Sequence, residues 1–466
     1  MAIHNAETSR PSISIALSGG GHRASLFGLG ALMYVVDAGR AKDVTSIASV
    51  SGGSLTNGVI AQSLDFQATD SSSFENEVVR PLASRIANRG TVFSAAITRA
   101  YIGVLLAGLV IVLAPFVMLE RSVGDRLAVS LLLIAIWGWP FGLRSRICSL
   151  AFRTTLFAPG GRTTLLRNIK KRVTHVFCAT ELRTAQSLYF SGDFVYAHAM
   201  GVGIPDDIPL HEAVQASANF PGGFPPLRLP ASRHQFNGTP DLTHPDESVR
   251  ELVLSDGGVY DNMADQWALG FSNRTRLRTA IPDLKAPRQL VVVNASARVP
   301  WLPVRFLRIP WIGEISGFFR TVGVLYVNTT NVRRQVIVAS YDPRHPKDAG
   351  KVPGVLIQIT QSPFQVANSF ADECVPEVRA RAEAVIAALD PATESAWNQI
   401  AAQNAAVGTT LFKLGQDVSA RLLYHGYMTA MCNLHVIYGD TGTELGCWPL
   451  HLVPDLRRFE ELVAQQ

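Results

Sequence analysis

Two glycine-flanked turns carry the residues of this chain best suited to acyl chemistry. "SVSGGS" (49–54) sets Ser51 between an apolar run and a helix-like run that begins near Ser54. A serine at a strand-to-helix turn is held outward, with the following amides and the helix N-terminus around it. The pattern is G-x-S-x-G with Ser49 in place of the first glycine. "LSDGGVYDN" (254–262) ends an apolar run at Asp256. A carboxylate there sits at the C-terminal edge of a sheet, where open α/β folds place their ligands. Held against Ser51 Oγ, it could orient the hydroxyl and accept its proton. A serine attacking a carbonyl also makes an oxyanion, which needs amide donors. "LSGGGHRASLFG" (17–28) offers Gly19, Gly20 and Gly21, whose backbone can curl several N–H groups toward one spot.

Taken singly, each signal has a plainer reading. Ser51 and Ser54 would be capping hydroxyls of a turn, and Asp256 would open an Asx turn before Gly257 and Gly258. The glycines would form a simple turn, or a loose dinucleotide fingerprint through Gly19, Gly21 and Ala24; no GK[ST] follows, so they are not a P-loop. Arg23 would either add positive charge for an anionic head group or make a surface salt bridge.

The elements that must position these residues read as alternating strand and helix. "SISIAL" is a short buried strand. "ASLFGLGALMYVVDAG" follows with helical apolar spacing and Gly39 at its C-terminal cap, and "VTSIASVSGGSLTNGVIAQSL" repeats the scheme. "THVFCATEL", "ELVLSDGG" and "RQLVVVNAS" read as further strands, and the chain from "PATESAWNQIAAQ" onward as mainly helical. These units predict an α/β fold around a mostly parallel sheet. "RHQFNGTPDLTHPDES" (233–248) is a polar loop. "WLPVRFLRIPWIGEISGFF" (301–319) either rests on a membrane surface or covers the active site. No internal repeat is apparent.

Two segments interrupt the pattern. "YIGVLLAGLVIVLAPFVML" (101–119) has no charged residue in nineteen and "LAVSLLLIAIWGWPFGL" (127–143) none in seventeen. As helices they extend about 25–30 Å, close to the hydrocarbon thickness of a bilayer. Only "ERSVGDR" separates them, so they form a hairpin. Arg85, Arg89 and Arg99 precede it, Arg144, Arg146 and Arg153 follow it, and Trp137 and Trp139 fall near one end. The positive-inside bias puts both hairpin ends in the cytoplasm. The competing reading is a pair of core helices, since the second segment is short and Pro115 and Pro140 disturb helices. A hairpin that only enters one leaflet also fits.

The 466 residues are 47% hydrophobic and 17% charged, with a net charge of +5 and a mean hydropathy of +0.17. Lys and Arg are scattered, which argues against nucleic acid as a partner. Cys148, Cys178, Cys374, Cys432 and Cys447 are odd in number and far apart, with no zinc-type spacing, and read as reduced thiols of a cytosolic domain. The opening "MAIHNAETSRPS" lacks the apolar core of a secretory signal, so the expectation is a catalytic part that is not exported.

Together the glycine loop, the elbow serine about thirty residues on and the distant strand-end Asp-Gly-Gly resemble the patatin-like acyl hydrolases. Within them, S-G-G-G-x-R is similar to the cytosolic-phospholipase type of opening. "ATELRTAQSLYF" (179–190) and "HEAVQASANFPGGFPPL" (211–227) are similar to two further segments of that family. The resemblance covers roughly residues 12–300 without the hairpin. It implies a three-layer fold and a Ser-Asp dyad without a catalytic histidine. Ser51 would be the nucleophile and Asp256 the base. The Gly19, Gly20 and Gly21 loop would supply the oxyanion hole, with Arg23 as a head-group or site-supporting residue. It also implies lipid acyl esters, phospholipids or lysophospholipids, as substrates; some members transfer acyl groups. The expectation is no cofactor and no metal, a bilayer as partner, and a multi-pass membrane location with the catalytic part cytoplasmic. Oligomeric state is left open.

The organisation expected is a catalytic domain in two parts (12–90 and 151–300), an inserted hairpin region (91–150) and a C-terminal accessory or lid region (301–466). Two alternatives remain. An α/β-hydrolase triad would draw on His345, His425, His435 or His451, all of which follow Asp256. An inactive membrane scaffold or sensor would be consistent with Ser49 at the position of the motif's first glycine.

Overall fold

Strand β1 (Ile13–Leu17) sits between β2 (Val44–Ser49) and β9 (Gln289–Asn294), and every residue of the three is buried. Such unbroken burial is what a parallel strand covered on both faces requires. The computed structural model describes residues 12–118, 122–158, 161–237, 250–296, 312–341, 354–371, 375–439, 448–451 and 453–464. The polar loop expected over 233–248 lies outside these from 238 onward, as do 301–311, His345, Cys374 and Cys447.

Five strands form the parallel centre, in the order β10 (Gly354–Gln358), β9, β1, β2 and β3 (Thr174–Glu181). Beyond β3 the sheet continues antiparallel through β4 (Gln186–Phe190), β5 (Val195–Ala197) and β6 (Gly201–Gly203). Two more antiparallel strands, β7 (Leu227–Pro230) and β8 (Glu251–Asp256), pair with each other, and β8 pairs with β3.

The register along β3 positions the chemistry. Strand β2 runs beside β3 only as far as Ser49, opposite Phe177. There the chain turns away at Ser51, and β8 enters the edge it leaves, ending with Asp256 opposite Ala179. The Ser51 turn and the Asp256 carboxylate therefore meet because one strand takes over where another stops.

Side chains of the central strands alternate between two apolar layers, as the two-residue strand period demands. Ile13, Ile15, Leu17, Val291 and Val293 face one cluster; Ala16, Leu290, Val292 and Leu356 face the other. Helices cover both faces, giving the three-layer architecture expected. On the first face lie α1 (Gly21–Asp37) and α2 (Gly52–Ser63). Helix α1 is buried along nearly its whole length.

The apolar pair forms α3 (Ala96–Met118) and α4 (Val123–Phe141), within a few residues of the sequence reading, with Pro115 and Pro140 accommodated inside them. Both are long and apolar enough to cross a membrane. Only 11% of the apolar window in α3 is buried, and 6% of that in the helical run Val123–Phe157. Core helices would be covered, so the core-helix reading fails. The two touch each other: Ser130 Oγ donates to the Val112 carbonyl (3.0 Å) and Tyr101 Oη to the Pro140 carbonyl (2.9 Å).

Helix α5 (Leu210–Ser217) lies in the segment leading to β7. The C-terminal region is mainly helical, as expected, and it also supplies β10. Its helix α7 (Gln416–Tyr438) crosses α1 so closely that a Cβ on Gly30 or Gly426 would overlap the backbone of the other helix. Between them in sequence, α6 (Ile312–Tyr341) seats Ile337 against the second apolar layer.

Candidate active site

The turn at Ser51 is strained. Its φ of 51° and ψ of −116° lie outside the regions an L-residue prefers, a state that persists only when its surroundings hold it. What holds it is the start of α2. A Cβ on Gly52 would overlap the Gly21 carbonyl oxygen, so the helix can pack this close only with glycine there. The Ser51 hydroxyl makes no capping bond, which removes the cap-turn reading of this residue. The Ser54 hydroxyl does not cap either; it bonds Ser49 Oγ (3.0 Å) and Ser217 Oγ (2.8 Å).

Ser49, the departure from the glycine motif, fits without cost. Its hydroxyl donates to the Val176 carbonyl (3.1 Å) and accepts from Asn57 Nδ2 (2.9 Å) in a buried network behind the turn. Asn57 Oδ1 in turn bonds His175 Nδ1 at 2.7 Å. Burial drops the His175 pKa to about 3, so the network stays neutral.

Asp256 is 2% exposed. The Ser51 side chain lies beside its carboxylate in the same cavity, and the Gly258 amide donates to Oδ1 at 2.7 Å. The Asx-type turn and the serine contact therefore coexist on one carboxylate. Burial lifts its pKa to about 7, against the opposing pull of the Gly258 amide and then of Ser51. The backbone here is clamped by three residues of two segments: the Asp256 amide donates to the Asn219 carbonyl (3.0 Å), Thr180 Oγ1 donates to the Asp256 carbonyl (2.9 Å), and the Gly257 amide donates to the Ser217 carbonyl (3.2 Å). Glu181, beside Thr180, accepts the Val253 amide at 3.1 Å and so ties β3 to β8.

The glycine loop divides. The Gly19 amide donates to the Asn262 carbonyl at 3.0 Å and is not free to meet an oxyanion, which corrects the sequence reading for that residue. Among the described residues the amides of Gly20 and Gly21 have no acceptor. Gly20 takes φ 142° and Gly21 φ 60°, conformations that turn these N–H groups at the head of α1. Gly21 also packs on the C-terminal region, where a Cβ would stand 2.6 Å from the Thr410 carbonyl oxygen.

Arg23 makes no surface salt bridge. It is fully buried, with Nε donating to the Ala295 carbonyl (2.9 Å), Nη1 to the Val407 carbonyl and Nη2 to Thr409 Oγ1 (3.5 Å). Its guanidinium reaches Gly20, and among the described residues no carboxylate neutralises it. Burial lowers its pKa to about 10, which leaves it charged at neutral pH.

Gly19, Gly20, Arg23, Ser51 and Asp256 line one cavity of about 590 Å³. Phe220 and Pro221 lie on its β8 side; Asn294 and Gln358, at the ends of β9 and β10, lie on the other. Helix α6 covers it with Phe318, Tyr326 and Arg334. The described part of the 301–319 segment thus belongs to a cover over the site. Burial, and then the nearby Asp256, push the Tyr326 phenol's pKa up; its buried oxygen has no hydrogen-bond partner among the described residues.

Among the described residues no histidine lines this cavity. His425 is buried elsewhere, between Asn404 and the Gln361 carbonyl, and His345 lies outside the described residues. No group of three or more His, Cys, Asp or Glu among the described residues is placed to hold a metal. Sequence reasoning missed Thr180, Ser217 and Asn219, although each falls in or beside a quoted segment. It missed Tyr326 and Arg334 because no motif marks them.

A family model described as patatin-like phospholipase matches residues 15–264. Among solved structures, human GIVD cytosolic phospholipase A2 is 12% identical with a TM-score of 0.47; the match covers 97% of this chain and 60% of that one. VipD from Legionella pneumophila is 12% identical with a TM-score of 0.29, over 91% of this chain and 85% of that one. The chain thus matches 60% of the length of the human enzyme. No curated protein matches it.

Proposed function

The chain belongs to the patatin-like phospholipase family, and we propose that it is a membrane-anchored serine acyl hydrolase that cleaves fatty acyl esters of phospholipids or lysophospholipids. The observation that carries this reading is the placement of Ser51 beside a buried Asp256 whose pKa stands at about 7. A base needs a pKa near the working pH to take a proton and return it.

The steps follow from the geometry. Ser51 Oγ attacks the ester carbonyl carbon while its proton passes to Asp256. The oxyanion is met by the free amides of Gly20 and Gly21, with the Arg23 charge beside them; such preorganised donors supply a large share of catalysis. The carbonyl re-forms, the ester bond breaks and Asp256 protonates the departing alkoxide. Water, deprotonated by Asp256, then releases the fatty acid from Ser51.

The exposed hairpin α3–α4 supports anchoring in a bilayer. The arginines on both flanks favour a cytoplasmic catalytic part, and tethering raises the local concentration of an insoluble substrate. In this reading residues 12–90 and 151–300 form the catalytic unit around the hairpin region 91–150, and residues 301–466 contribute the cover. The absence of a histidine among the described cavity residues supports a dyad over a triad. The network that absorbs Ser49 removes the feature that favoured an inactive scaffold.

The test is fatty acid release from phosphatidylcholine and phosphatidylglycerol by the protein purified in detergent, with fluorophosphonate labelling as a second readout. Loss of both signals in Ser51→Ala, and loss of fatty acid release in Asp256→Asn, is expected. Release that survives both substitutions overturns the assignment.

A further inference from the structure

We propose that Arg334 binds the phosphate of the substrate's head group, a subsite that deepens the reading above and rests on it. Among the described residues, three ionisable side chains besides Tyr326 line the cavity: Arg23, Asp256 and Arg334. Arg23 is engaged by two carbonyls and a hydroxyl near the oxyanion site and is not available to a head group. Arg334 has no partner among the described residues.

Its neighbour explains why that charge stays open. Arg333 pairs with the buried Asp265 (3.1 Å) and with Asp261 (3.7 Å). Asp261 and Asp265 are thus already paired, and among the described residues no carboxylate forms an ion pair with Arg334. With Asp256 half-protonated near pH 7, the cavity is net positive. A neutral acyl ester gains nothing from such a field; an anionic one does.

The spacing also fits. Tyr326, Thr330 and Arg334 recur at four-residue intervals and line the cavity from one helix face. Tyr326 marks the dyad end, since its ring lies 6.2 Å from that of Phe220 and its pKa responds to Asp256. Arg334 lies about 12 Å further along the helix. Near it Ile337 packs on the β9–β10 side, whose strand ends present Asn294 and Gln358 to the cavity. In a phospholipid a few covalent bonds separate the scissile ester from the phosphate, and the long arginine side chain spans the remaining gap. A guanidinium suits the phosphate because its forked donors match two oxygens at once.

The experiment compares kcat/KM for a 1-acyl lysophosphatidylglycerol and a 1-monoacylglycerol of the same chain, in detergent, with the full-length protein. In Arg334→Gln the ratio of the first to the second is expected to fall about 10- to 100-fold, with partial recovery in Arg334→Lys. A ratio unchanged in both variants, with melting temperatures at the wild-type value, overturns the subsite while leaving the hydrolase reading intact. Ser51-independent release of fatty acid from both substrates takes down the two readings together. A third arm adds inorganic phosphate during monoacylglycerol cleavage. Inhibition that Arg334→Gln relieves, without any change in the substrate ratio, assigns the site to a free anion and overturns the head-group proposal.

Discussion

Ser217 holds Ser51 from behind: its carbonyl and its hydroxyl both accept the Ser51 amide, at 3.2 and 3.1 Å. The same carbonyl accepts the Gly257 amide, next to Asp256. One residue thus fixes the backbone of both members of the proposed dyad. Ser217→Ala keeps the carbonyl but removes the hydroxyl, freeing Ser51 to drift and leaving Ser54 with one partner fewer. The expected result is a kcat about tenfold lower with KM within about twofold, and a stability loss of about 1 kcal/mol. Ester kinetics and denaturant unfolding of the variant check it.

The proposed dyad predicts a pH dependence. Asp256 must be ionised to accept the Ser51 proton, and burial holds its pKa at about 7. Below that value kcat/KM should fall about tenfold per pH unit, and above it level off. A pH–rate profile on a soluble p-nitrophenyl ester measures this; a plateau extending down to pH 5 contradicts the role given to Asp256.

The same carboxyl costs stability when charged. Its folded pKa stands above the unfolded value, so between about pH 4 and 7 the folded state binds the extra proton and stability declines as pH rises. Asp256→Asn removes the burden. Its melting temperature should exceed that of wild type at pH 8, and the gap should shrink toward pH 4. Scanning fluorimetry across pH reads both.

Gly20→Ala forces a side chain onto a φ of 142° and sets its Cβ 2.8 Å from Arg23 Nη2. The displaced amide no longer faces the oxyanion. A kcat loss of about 100- to 1000-fold is expected, the scale of removing one such donor, with the fluorophosphonate reaction slowed in parallel.

The hairpin can be removed at its neck. Because Tyr101 bonds the Pro140 carbonyl at 2.9 Å, a short Gly-Ser linker replacing residues 102–139 bridges the stubs. The shortened protein should stay soluble without detergent and cleave a monomeric ester within about threefold of wild type. It should lose about tenfold or more on phospholipid vesicles. Vesicle co-sedimentation and the two assays decide it.

The local chemistry was legible in the residues themselves. Apolar runs broken by glycine gave β1, β2, α1 and α2, because strand and helix periodicity and turn residues act over a few positions. The Ser51 elbow, the strand-end Asp256 and the two long uncharged helices are local in the same sense. Whether those helices were core or exposed was not, since burial depends on what packs against them.

What the tertiary structure decided is which hydrogen-bonding groups were already taken. Gly19 looked the equal of Gly20 and Gly21 until Asn262, far along the chain, claimed its amide. Arg23 looked like a head-group ligand until Ala295 and Val407 enclosed it, and Arg334 carried no motif until α6 brought it over the cavity. Even the meeting of Ser51 with Asp256 rests on β8 filling the edge of β3 that β2 vacates. A residue's type and its near neighbours fix what it can do. Partners hundreds of positions away fix whether it is free to do it.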